Sequence, residues 1–144
     1  MGKILGVDFG EVRTGVAITD PLQIIASPYA TLKPKSINDL INKLVDIVLS
    51  EDVEKIIVGL PIGTSGQDTD RTKRTRQFIK ILQQSVTIPV EQMDERYSSG
   101  EAKQVLIEQG VKTGHSKAKV DKVAAAIILR RYLDDQQDKN SRQD

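Results

Sequence analysis

The sequence predicts an α/β domain whose core is a mixed five-stranded sheet, three antiparallel strands followed by parallel ones, flanked by helices. Two patterns lead there. The run Ile4-Leu5-Gly6-Val7 is almost wholly apolar, as a central strand covered on both faces must be. After it come two more strand-like runs with tight turns, and then helix-period segments alternating with strand-like ones, an order that calls for helical crossovers between parallel strands.

Taken in order, residues 3–8 read as the first strand and end on Asp8. Gly10 and Gly15 flank a turn into a second strand, Gly15-Val16-Ala17-Ile18-Thr19, and Asp20-Pro21 marks the next turn. A third strand near Ile24 to Thr31 contains Pro28, which has no N–H for a ladder, so it belongs at a sheet edge. Ser36-Ile37-Asn38-Asp39 is a helix-capping signal, and Ile37, Leu40, Ile41, Leu44, Ile47 and Val48 then recur at helical spacing. Val53 to Val58 reads as a fourth strand that gives way at Gly59-Leu60-Pro61. A polar loop leads to a helix from about Thr69 to Gln84, and a fifth strand ends at Met93. Ser98-Ser99-Gly100-Glu101 is a further capping signal for a helix with Ala102, Val105 and Leu106 inside, and an apolar helix runs from Val120 to Tyr132. Residues 1–134 are expected to form one domain, and the polar residues 135–144 a disordered tail.

Composition narrows the chemistry. With 144 residues and 38% hydrophobic content the chain is long enough for one core and too short for two. It has no cysteine, which excludes disulfides, thiolate metal sites and cysteine nucleophiles. No apolar run approaches the ~20 residues of a membrane span, so no membrane partner is expected and a cytoplasmic location is the default. A formal net charge of +1 gives no general affinity for polyanions, so nucleic-acid binding would rest on local patches.

Three acidic positions stand at the ends of apolar elements: Asp8, the Asp94-Glu95-Arg96 group after the fifth strand, and Asp121 at the opening of the last helix. Carboxylates at the edge of a core need a compensating cation. In a chain with one histidine and no cysteine, a hard ion such as Mg²⁺ or Mn²⁺ fits best. Each acid alone has a plainer reading: a turn acceptor at Asp8, a surface ion pair at Asp94-Glu95-Arg96, a helix-dipole carboxylate at Asp121. Together they fit the set that in-line phosphodiester hydrolysis requires.

The segments Gly6-Val7-Asp8-Phe9-Gly10, Arg13-Thr14-Gly15-Val16-Ala17, Val58-Gly59-Leu60-Pro61, Asp94-Glu95-Arg96-Tyr97-Ser98-Ser99 and Lys119-Val120-Asp121-Lys122-Val123-Ala124-Ala125 resemble the YqgF family. That family is described as Holliday junction resolvase-like, and cleavage of the small-subunit ribosomal RNA precursor is ascribed to it. The resemblance implies a ribonuclease-H-like fold, with Asp8, Glu95 and Asp121 as the metal-binding catalytic set. It implies a metal-dependent nuclease working at the 5′ end of that precursor, in ribosome biogenesis. Where family members often carry an asparagine and an aspartate after Gly-Leu-Pro, this chain has Ile62-Gly63-Thr64-Ser65-Gly66.

Candidate substrate contacts are cationic. Arg13 lies in the turn beside Asp8, where it would either clamp a phosphate or pair with Asp8 or Asp20. Arg96 adjoins Glu95. Arg71, Lys73, Arg74, Arg76 and Lys80 give one helix a run of positive charge, either a solvated face or a backbone-binding stripe, and Lys112, Lys117, Lys119 and Lys122 cluster around Asp121. His115 reads as a surface residue. Other functions compatible with the sequence are a resolvase acting on branched DNA, and a non-catalytic nucleic-acid-binding regulatory factor partnered by ribosome-assembly or transcription machinery. An actin-like phosphotransferase would need a second such domain, for which the chain has no second Asp-x-Gly strand pair.

Overall fold

The computed structural model describes residues 2–63, 65–94 and 117–142, with side chains omitted at 117–120 and 138–142. Its strands are β1 (Lys3–Asp8), β2 (Thr14–Thr19), β3 (Ala26–Leu32), β4 (Val53–Leu60) and β5 (Val90–Asp94). Its helices are α1 (Ile37–Ser50), α2 (Asp70–Ser85) and α3 (Lys117–Arg142). The strands form one sheet in the order β3-β2-β1-β4-β5, with β1/β2 and β2/β3 antiparallel and β1/β4 and β4/β5 parallel, as expected.

Local chemistry explains the boundaries. Ser36 caps α1 by accepting the Asp39 N–H at 3.0 Å, while Asp39 accepts the Lys35 N–H at 2.8 Å. Thr69 caps α2 in a reciprocal box with Thr72. Pro28 does sit on the edge strand, and the β2/β3 register slips between Val16 and Ala17, where Ala17 faces Pro28 and Tyr29 bulges out.

The sheet has two unlike faces. Leu5, Val7 and Phe9 point to one side and pack with Leu40, Leu44, Phe78 and Leu82 from α1 and α2. Ile4 and Ile57 point to the other, where α3 supplies Ala125, Ala126, Ile128 and Leu129. Gly6 lets α3 settle here, because a Cβ on it would lie 3.0 Å from the Leu129 Cβ and 3.1 Å from the Ala125 carbonyl.

Two expectations need correction. The last helix begins at Lys117, so Asp121 lies one turn inside it rather than at its opening. It also continues to Arg142, so residues 135–142 are helical where a disordered tail was expected. The apolar face does end at Leu133, and the polar residues beyond it prolong the helix without needing a core. The helix expected after Ser98, and His115, lie outside the described residues. Among the described residues no helix is long and apolar enough to cross a membrane.

Candidate functional site

Strand register and helix pitch bring two of the acids together. Asp8 is the last residue of β1, only 7% exposed, and faces Gly15 across the antiparallel ladder. Gly15 in turn meets α3 backbone to backbone: a Cβ there would lie 2.0 Å from the Asp121 carbonyl oxygen. Independent spacing agrees. Ala125 sits over Gly6; one helical turn up from Ala125 is Asp121, and two residues up from Gly6, on the same face, is Asp8. A four-residue helical step and a two-residue strand step each advance about 6–7 Å, so α3 runs antiparallel to β1 with Asp121 set over the Asp8–Gly15 pair.

Two arginines attend these carboxylates. Arg13, in the β1–β2 turn, donates from Nε to Asp121 Oδ2 at 2.7 Å. Its acidic partner is therefore Asp121 rather than Asp8 or Asp20, the two partners considered as the alternative to a phosphate clamp, because α3 passes over the neighbouring Gly15. That turn is held tight by Gly10, where a Cβ would lie 2.2 Å from the Arg13 carbonyl, and by the buried Thr14 hydroxyl at 3.3 Å from the Gly10 carbonyl. Arg71, in the first turn of α2, places Nη2 3.6 Å from Asp8 Oδ1. It is aimed there by Phe78, two turns along the same stripe of α2, whose ring stacks on Phe9 at 4.4 Å and 10°. The Arg13–Asp121 pair, with both partners partly exposed, is worth about 0–1 kcal/mol, so it orients the rim more than it stabilises the fold.

The expected basic run on α2 is partly neutralised. Arg74 pairs with Glu11 at 3.0 Å, a residue the sequence did not single out, and Arg76 pairs with Asp68. Arg71 turns towards Asp8 instead. Lys119 lies in the first turn of α3, where only its backbone is described. Glu95 and Arg96 lie outside the described residues. Asp94 ends β5 at the same carboxyl-terminal rim of the sheet as Asp8, opposite Leu60. Its neighbour Met93 packs with the α3-side cluster, so strand alternation turns Asp94 to the other face. Among the described residues no group of three or more potential metal-ligating side chains assembles.

The groups with shifted titration mostly lie elsewhere. Glu51 is held below the usual carboxylate range by Lys3 and Tyr29, and Glu54 by Gln23 and the Gly2 N–H, both at the opposite rim. Asp20, in the β2–β3 turn, is lowered chiefly by the Ile25 N–H, and the Tyr132 hydroxyl raises Lys55. Those groups tie the far end of the molecule together, and none approaches Asp8.

A mixed sheet of this order, with helices on both sides and acids at the carboxyl end of its central strand, is a ribonuclease-H-like fold. Two solved structures share it: T. thermophilus RuvC in complex with a Holliday junction substrate (TM-score 0.59, 11% identity, 94% of this chain and 96% of that one) and a Fowlpox virus resolvase bound to Holliday junction DNA (TM-score 0.59, 13% identity, 93% and 98%). At such identities they establish the fold alone. Residues 2–135 match the family model described as RuvX, Holliday junction resolvase, and the chain belongs to that family. Relatives bearing the name "Putative pre-16S rRNA nuclease" include one from Natranaerobius thermophilus, 39% identical over 96% of this chain and 99% of its own. Another, from Halothermothrix orenii, is 40% identical over 91% and 94%.

Proposed function

We propose that this protein is a divalent-metal-dependent nuclease that hydrolyses phosphodiester bonds of structured nucleic acid, with the precursor of small-subunit ribosomal RNA as its substrate. The observation that carries the reading is the placement of Asp121 over Asp8 at the carboxyl rim of the sheet, with Arg13 and Arg71 beside them. The names of the relatives support the RNA substrate.

The donor set suits Mg²⁺ or Mn²⁺: two hard carboxylates, no thiolate, and room at the rim for substrate oxygens, which is how such ions are commonly held. Asp8 and Asp121 would hold the ion, with Glu95 as the third ligand, since it follows a strand that ends at the same rim. When bound, the ion lowers the pKa of an attacking water and offsets charge on the scissile phosphate. The protein's own groups position the substrate. Arg13 and Arg71 reach the two carboxylates now and are placed to move onto phosphate oxygens, to which guanidinium groups bond in pairs. Arg74 adds positive charge beside them, and by their sequence positions Arg96 and Lys119 would contact the backbone of the nucleic acid. The buried setting of Asp8 excludes competing water from one side of the site.

The test is cleavage of precursor-end RNA by purified protein with Mn²⁺ or Mg²⁺. Asp8→Asn should lose turnover by orders of magnitude while its melting temperature holds, and equal activity in that variant would assign the cleavage to a contaminant. The family description favours a second substrate, branched DNA, so a four-way junction belongs in the same assay. Cleavage of the junction in preference to the RNA would exchange the two readings. Product never exceeding enzyme would leave a binding factor of the ribosome-assembly or transcription machinery.

A further inference from the structure

Across the rim from Asp8 lies a cleft of about 360 Å³ that the cleavage chemistry does not use. It opens between the β1–β2 turn, the start of α1 and the middle of α2, three segments that the sheet topology brings to one corner. Its volume falls within the ~300–1,000 Å³ of small-molecule sites. Phe9 and the fully buried Leu40 and Phe78 form its floor, while Ile37 and Ile81, 39% and 38% exposed, form apolar walls left open to solvent. Its polar lining is Glu11, Lys35, Ser36, Arg74 and Gln77, with Arg74 paired to Glu11 at 3.0 Å.

We infer that this cleft receives one unpaired nucleobase of the substrate strand, next to the phosphate held at Asp8; the inference rests on the nuclease reading and deepens it. Shape and polarity fit a base, which is a flat apolar body with a hydrogen-bonding edge, and the exposed Gln77 amide offers both a donor and an acceptor to that edge. Lys35 beside the opening offers a cation to the backbone that carries the base, while Arg74 is already paired with Glu11. Continuity fits the strand's path. Phe9 follows Asp8 directly, and alternation along β1 sends the Phe9 ring to the cleft side and the Asp8 carboxylate to the α3 side. Arg71 bridges the two, with Nη2 3.6 Å from Asp8 Oδ1 and 3.5 Å from the Phe9 carbonyl oxygen. A strand laid across the end of β1 therefore meets the candidate metal ligands with its phosphate and the cleft with a neighbouring base. The protein would accordingly act on substrates with an unpaired or everted nucleotide beside the cut, and poorly on continuous duplex.

The test is equilibrium binding of short single-stranded RNA to the full chain in EDTA, by fluorescence anisotropy, with one abasic site walked along the oligonucleotide. An abasic site at one position should weaken binding by roughly tenfold, the loss expected when one stacked base is removed, and the other positions should change little. Ile37→Glu and Ile81→Glu, both at solvent-open positions, should bring the ratio of intact to abasic affinity close to one without shifting the melting temperature. If every abasic position binds like the intact strand, if the intact strand does not bind, or if the two variants keep full discrimination, the assignment is overturned. Because binding is read without metal or turnover, the two ideas fail separately. Cleavage without base discrimination removes the cleft, and discrimination without any cleavage by metal-loaded protein removes the nuclease.

Discussion

The two faces of the sheet are built on opposite rules. The face under α1 and α2 is filled with bulky side chains, with Leu5, Leu40, Leu44, Phe78 and Leu82 all almost wholly excluded from solvent. The face under α3 is lined where the helix approaches by alanines and by two glycines, Gly6 and Gly15, so that helix backbone meets strand backbone. Large side chains bury more apolar area and stabilise more; small ones allow close approach. The first face therefore holds the domain together, and the second sets the position of Asp121, the carboxylate proposed as a metal ligand.

Substitutions can separate the two roles. The largest loss of stability should come from Leu44→Ala, in the middle of α1 and fully buried, at about 2–5 kcal/mol. Denaturant unfolding should show that loss, while cleavage per folded molecule stays unchanged. Gly15→Ala should cost less stability, about 1–3 kcal/mol, yet lose nearly all activity, because its Cβ would displace the Asp121 backbone from the rim. Retained activity in Gly15→Ala would refute the close-approach account. Arg13→Ala should change stability by no more than about 1 kcal/mol and still lower turnover, with partial recovery in Arg13→Lys, which keeps the charge without the planar fork.

The smallest effect concerns the far end of α1, where Glu51 pairs with Lys3 of β1 at 2.9 Å. Its folded-state titration lies below the ordinary value of 4.5, so its contribution is fully present above that value and is lost as pH falls through the depressed one. Glu51→Gln should therefore melt slightly below the unsubstituted protein at neutral pH. The difference in melting temperature should shrink towards zero as pH is lowered through that depressed value.

Much of this was legible in the sequence because local chemistry decides it. The Ser36 cap, the edge position of Pro28 and the end of β1 at Asp8 each follow from a few adjacent residues, and the strand order follows from where helices interrupt strands. Convergence of Asp8 and Asp121 was readable only through the joint pattern of acids and the family resemblance. What escaped depends on distance along the chain. Arg13 finds its partner 108 residues away, and no local pattern distinguishes Asp121 from Asp20 as the acceptor. The cleft escaped because its lining comes from three separated segments. Gly15 did carry a usable signal: a glycine among β-branched strand residues commonly marks a close backbone approach, but it reads equally well as the end of a turn. The helical stretch beyond Leu133 has no apolar period to announce it.

Delivery of the second carboxylate by α3 has a bearing on when the protein becomes competent. Because Asp121 meets Arg13 from 108 residues away, a metal site shared by Asp8 and Asp121, as proposed, would stay incomplete until that non-local contact closes. On that proposal, a nascent or partly unfolded chain would present β1 to β5 without being competent to cut. The order of assembly would then act as a safeguard, withholding hydrolysis from every intermediate that lacks its last helix.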